Sequence, residues 1–104
     1  MKQDNILQLL GLAQRAGGVA SGEFMTESSV KEGKSHLVIL AGDASERTKK
    51  QFSDMCKHYK VLYREYSDKE SLGHAIGKEF RASLSVTNEG LARQIVSKID
   101  GGSN

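Results

Sequence analysis

Two short clusters carry the most usable chemistry in this chain. Gly22-Glu23-Phe24-Met25 falls where a helix is expected to begin. A helix start presents unpaired N–H groups and the positive end of the dipole, which suits phosphates or base acceptors, and Gly22 permits close backbone approach. Lys78-Glu79-Phe80-Arg81 joins two cations, an acceptor and an aromatic ring in an expected loop. That combination can stack on an unpaired base and hold phosphates. Both clusters also admit a plainer role, with Phe24, Met25 and Phe80 turned into the core.

Enzymatic chemistry finds less support. Gly33-Lys34-Ser35 resembles the end of a P-loop, but position 28 is Ser28 where a glycine is required, and the motif precedes an apolar strand instead of following one. Gly17, Gly18 and Gly22 do not follow a strand either, so a dinucleotide fingerprint fails the same test. His36, His58 and His74 stand apart and lack metal-ligand spacing. Cys56, the single cysteine, falls on the apolar side of its helix and reads as an inert thiol. The expectation is a non-catalytic protein with no cofactor and no metal.

A length of 104 residues argues for one domain, large enough to bury a core without disulfide or metal. A lone thiol suits the cytosol. The start of the chain does not read as a signal peptide, and no apolar run approaches the ~18 residues of a membrane span. The net charge of +2 is unevenly spread. Residues 45–64 hold Arg47, Lys49, Lys50, Lys57, Lys60 and Arg64 against Glu46 and Asp54, a local excess of four positive charges. Such a segment is either a phosphate-attracting surface or a solvated helix face.

The elements that must hold these clusters follow from periodicity. Residues 4–16 predict a helix with Ile6, Leu9, Leu10 and Ala13 on one face, ended by Gly17-Gly18. Ser21-Gly22 opens a weakly amphipathic helix over about 22–32, stopped by Gly33. The unbroken run Leu37-Val38-Ile39-Leu40-Ala41 predicts a buried central strand. Asp43 to Glu46 has capping-box spacing for a helix reaching Tyr59, with Phe52, Met55, Cys56 and Tyr59 inward. Val61–Arg64 is a second strand, and Ser67 to Glu70 caps a short helix burying Leu72, Ala75 and Ile76. Ala82–Thr87 is a third strand, and Asn88 caps a last helix with Leu91, Ala92, Ile95 and Ile99 inward. Residues 1–100 then form the domain and 101–104 a frayed tail. The alternation predicts an α/β fold with a central sheet between helices.

Several segments together resemble the kink-turn RNA-binding family of ribosomal proteins, of the large-subunit seven-Ae and thirty-e type, and within it the small bacterial YlxQ-type members. They are LLGLAQRAGGVASGE (9–23), HLVILAGDAS (36–45) with TKK (48–50), CKHYKVLY (56–63), and LGHAIGKE (72–79) followed by a segment ending SVTNEG. The resemblance covers nearly the whole chain. It implies a three-layer α/β/α sandwich with a small mixed central sheet. It also implies a site: the first turn of the second helix enters the widened major groove beside sheared G·A pairs, and the loop before the last strand covers a flipped-out nucleotide. In this sequence those places are Gly22, Glu23, Phe24 and Met25, and Lys78, Glu79, Phe80 and Arg81. Lys69 matches a basic position facing the RNA, and Glu79 the loop glutamate.

The strongest RNA binders in that family carry Asn and Glu where this chain has Phe24 and Met25, and Lys where it has Ser28. Phe and Met cannot hydrogen-bond guanine edges. The resemblance therefore implies recognition by shape, stacking and phosphate contact. The expectation is a cytoplasmic, monomeric RNA-binding protein without membrane attachment, whose target is ribosomal RNA or a riboswitch. The alternative is a protein-interaction module on the same fold, with Phe24 and Met25 as an apolar docking patch.

Overall fold

The computed structural model describes residues 4–101. Nine elements follow one another: α1 (Asn5–Arg15), β1 (Val19–Ser21), α2 (Glu23–Lys31), β2 (Leu37–Leu40), α3 (Glu46–Tyr59), β3 (Leu62–Glu65), α4 (Lys69–Ala75), β4 (Ser83–Val86) and α5 (Glu89–Gly101). The strands form one sheet in the order β1-β4-β2-β3. β2 and β3 run parallel, while β4 is antiparallel to both β1 and β2, so the sheet is mixed. Helices α2 and α3 pack on one face, and α1, α4 and α5 lie together across the other. This is the expected three-layer sandwich.

Burial explains the strand patterns. β2 is fully buried over all four residues because helices cover both its faces. Leu37 and Ile39 sit opposite Val86 and Leu84 of β4, and this apolar face meets the α1/α4/α5 layer. Val38 and Leu40 sit opposite Ser85 and Ser83, facing α2 and α3. α1 buries Ile6, Leu10 and Ala13 at helical spacing, and its N-cap Asp4 accepts from the amides of Ile6 (2.9 Å) and Leu7 (3.0 Å). Tyr66 donates to the same carboxylate at 2.6 Å, tying the end of β3 to the start of α1.

The structure corrects the sequence reading in five places. β1 was not expected; three half-buried residues, Val19, Ala20 and Ser21, are too few for an alternation to register, and they become a strand by pairing with Val86, Ser85 and Leu84. The cap of α3 is Ser45, accepting from the Thr48 amide at 3.1 Å, not Asp43. The cap of α4 is Asp68, because Ser67 lies in the left-handed region at φ 63° and cannot serve. Tyr59 is exposed, since α3 ends there with Lys60 in the left-handed conformation. Helix α5 runs through Gly101, one residue into the expected tail; positions 102–104 lie outside the described residues.

Candidate nucleic-acid interface

The second helix is built inside out. Its buried residues are Thr26, Ser29 and Val30, while Phe24 is 76% exposed and Met25 52% exposed. Beside apolar Val30, hydroxyls make its other inward contacts. Ser29 Oγ lies 2.8 Å from Ser85 Oγ, and Ser85 donates to Ser35 Oγ at 2.7 Å. These bonds link α2, β4 and the loop before β2 and satisfy the three buried serine hydroxyls. Thr26 Oγ1 is buried in the same seam without a partner among the described residues. The inward positions of α2 are taken by Thr26, Ser29 and Val30, and Phe24 and Met25 fall on the outer side.

Gly22 begins this helix with φ 91°, in the region that favours glycine, and no side chain caps it. Its own amide donates to Ser83 O at 3.0 Å, while its carbonyl accepts from Thr26 N at 2.9 Å. The amides of Glu23, Phe24 and Met25 precede the first intrahelical bond and therefore face outward. A ligand with acceptor groups finds three donors and the positive dipole end there.

The second cluster is anchored beside the first. Arg81 Nε donates to Ser21 Oγ at 3.1 Å, and Arg81 Nη1 to Phe80 O at 2.7 Å. The Arg81 amide donates to Lys69 O at 3.0 Å, which pins the loop to the first residue of α4. Lys69 in turn donates its amide to Asp43 Oδ1 at 2.9 Å, and Gly42 N donates to Ser67 O at 2.8 Å. The loop after β2, the start of α4, the 78–81 loop and the start of α2 are thus stitched together at one end of the sheet. Lys78, Glu79 and Phe80 are exposed there, Phe80 at 61%, while Lys69 and Arg81 are half-buried.

Three residues that the sequence reading did not place at the site hold this end in shape. Gly73 is buried on α4, and a Cβ there would overlap the backbone of Glu79, so the loop rests directly on the helix. Asp68 accepts from the amide of Ser71 at 2.7 Å and from its hydroxyl at 3.2 Å. Those bonds hold its carboxyl below the ordinary value. Asp43 fastens Lys69, as described. The spacing Gly73-x-x-x-Gly77-Lys78-Glu79 was the available signal: the first glycine gives room to the loop, and the second, at φ 77°, turns the chain into it.

The histidines do not come together: His36 precedes β2, His58 is on α3 and His74 is on α4 beside Gly73, and all three are exposed. Cys56 is buried, which pushes its thiol up to about 11. Among the described residues no group of three or more His, Cys, Asp or Glu is placed to hold a metal ion, and no helix is long and apolar enough to cross a membrane.

Comparison with known proteins bears on the same residues. Residues 4–96 match the Ribosomal protein L7Ae/L30e/S12e/Gadd45 family. The RNA-binding protein YlxQ of Bacillus subtilis (strain 168) is 41% identical over 92 residues, covering 88% of this chain and 92% of that one. The protein of the same name from Enterococcus faecium is 34% identical, covering 91% of each chain. A solved structure from Bacillus halodurans, described as of unknown function, superposes with a TM-score of 0.91 at 37% identity, over 94% of this chain and 99% of that one. A Giardia lamblia 15.5kD RNA binding protein shares the fold at a TM-score of 0.79 and 21% identity, over 97% of this chain and 92% of that one. With the match spanning nearly every element from α1 to α5, the chain belongs to the L7Ae/L30e/S12e/Gadd45 family of ribosomal proteins.

Proposed function

We propose that this chain is a non-catalytic RNA-binding protein that grips kink-turns in structured RNA, ribosomal or riboswitch, acting in the cytoplasm as a monomer. One observation carries the reading: the uncapped start of α2 and the 78–81 loop meet at one end of the sheet, joined by the Arg81–Ser21 and Gly22–Ser83 bonds. Family membership supports it, as do the relatives named for RNA binding.

The α2 amides accept phosphate or base oxygens, Lys69 and Arg81 supply positive charge, and Phe80 stacks on a base that has left the helix. Phe24 and Met25 offer a flat and a flexible apolar surface where a polar side chain would read a guanine edge. Recognition then depends on the bent shape of the RNA more than on base identity.

The test is a titration against a kink-turn duplex with and without its G·A pairs, at two salt concentrations. Tight binding that needs the pairs and weakens with salt is expected, with Arg81→Ala and Lys69→Ala each reducing affinity. If neither substitution shifts a measurable affinity, the site is misplaced. The exposure of Phe24 and Met25 favours a second reading, a docking patch for another protein. Salt separates the two, because counterion release makes RNA binding ionic-strength dependent and apolar docking lacks that term. Nuclease- and salt-resistant capture of a partner, lost on Phe24→Ser, would favour the second.

A further inference from the structure

The basic segment 45–64 lies outside the interface just described, and its cations are not equivalent. Lys49 is held by Glu46 (3.7 Å) and Glu65 (3.5 Å), Lys50 by Asp54 (3.0 Å), and Arg64 by Asp100 (2.7 Å). Arg47, Lys57 and Lys60 are exposed, and their side chains have no hydrogen bond or ion pair among the described residues. At 100° per residue, Arg47, Lys50, Gln51, Asp54, Lys57 and His58 share the face of α3 opposite buried Phe52 and Cys56. Arg47 and Lys57, ten positions apart, are separated by about 15 Å along the axis.

Two features distinguish this stripe from an ordinary solvated face. Lys57, in the last turn, complements the helix dipole and so has a structural reason to be there. Arg47 has none: it sits in the first turn, where the dipole disfavours a cation, and no carboxylate answers it. The stripe also adjoins the α2 start. Gln51, one turn from Arg47, donates to Glu23 Oε2 at 3.4 Å, and α3 itself leaves from the loop that Asp43 fastens to Lys69. Glu23, Glu46 and Asp54 are the anions bordering this face, and each already engages a neighbour, Gln51, Lys49 and Lys50.

We propose that the outward face of α3, led by Arg47 and continued by Lys57, is a second RNA contact that follows the phosphates of a duplex arm leaving the α2 interface. It rests on the RNA-binding reading above. Charge complementarity with a polyanion selects the occupant, and the distance between the two cations suits a strand that runs along the helix. The stripe adds affinity without sequence information, because phosphates carry none.

The experiment is a salt series of affinities for a kink-turn RNA with a long stem and for one with that stem trimmed. The proteins are the wild type, Arg47→Ala/Lys57→Ala, Arg81→Ala, and an α5 control of equal charge change, Arg93→Ala/Lys98→Ala. On the long RNA the α3 variant is expected to flatten the slope of log affinity against log salt by about two, one per lost phosphate. Its deficit should vanish on the trimmed RNA, and its preference for G·A pairs should persist. The α5 control should keep the wild-type slope. An unchanged slope in the α3 variant, or an equal loss in the α5 control, overturns the proposal while leaving an Arg81 effect, and with it the RNA-binding reading, intact. Absence of wild-type binding to either RNA overturns both.

Discussion

At the scale of single residues, the candidate interface depends on atoms that are missing as much as on those present. Gly73 carries no side chain because Glu79 occupies the place where one would go. Gly73→Ala should therefore displace the 78–81 loop, and with it the Arg81–Ser21 bond. The expected outcome is weakened kink-turn binding with a folded core, checked by the RNA titration beside a circular dichroism melt. Binding equal to wild type would mean that the loop position is immaterial. Gly73 was visible in the sequence only as one letter of a family-like motif. Its contact, with a residue six positions on, arises when the chain after α4 turns back at Gly77.

At the scale of elements, α2 shows how a helix can be placed against its own pattern. Amphipathicity assumes that apolar residues face inward. Here Thr26 and Ser29 face inward, Ser29 bonded to Ser85 of β4, and Phe24 and Met25 are left outside. Two substitutions should move stability in opposite directions. Thr26→Val removes a buried hydroxyl without a partner and keeps its shape, so it should stabilise by about 1 kcal/mol. Ser85→Ala deprives both Ser29 and Ser35 of a partner and should destabilise by about 1–3 kcal/mol. Chemical denaturation of the two variants checks both signs. A destabilised Thr26→Val would mean that its hydroxyl is satisfied in solution. The other helices were legible because each buries an apolar stripe against an apolar strand face. Short β1 was not, since its pairing partner lies more than sixty residues away and does not mark the local sequence.

At the scale of the whole molecule, the layers are bolted together near the chain ends. Arg64 of the edge strand β3 donates from Nε (2.8 Å) and Nη2 (2.7 Å) to both oxygens of Asp100 on α5. This pair holds the Asp100 carboxyl below its ordinary 3.8, as the Ser71 bonds do for Asp68. A carboxyl depressed in the folded state adds stability that is fully present above its unfolded value and is lost as pH falls through the folded one. Acid unfolding is therefore expected to steepen below about pH 4, and Asp68→Asn/Asp100→Asn should flatten that part of the profile in melts from pH 2 to 7. A profile identical to wild type would place the acid-sensitive groups elsewhere. The centre is apolar, and truncating fully buried Phe52 to alanine should cost about 3–5 kcal/mol in the same melts.

Local patterning was enough for the α/β class, three of the four strands, all five helices, the glycine stops after α1 and α2 and the Asn88 cap of α5, because each depends on neighbours within a few residues. It was also enough to single out positions 22–25 and 78–81, since a glycine before a helix and a basic-aromatic loop are local features. Which way Phe24 and Met25 point was not written there. A sequence in which inward hydroxyls and outward rings alternate with helical spacing fits either orientation until β4 arrives with its own serines. The meeting of the two clusters at one sheet end likewise waits on the antiparallel pairing of β1 with β4, which sets Ser21 beside Leu84 and so brings Arg81 within reach. Long-range register is a property of the closed sheet, where a pairing between distant strands is chosen by everything it buries at once.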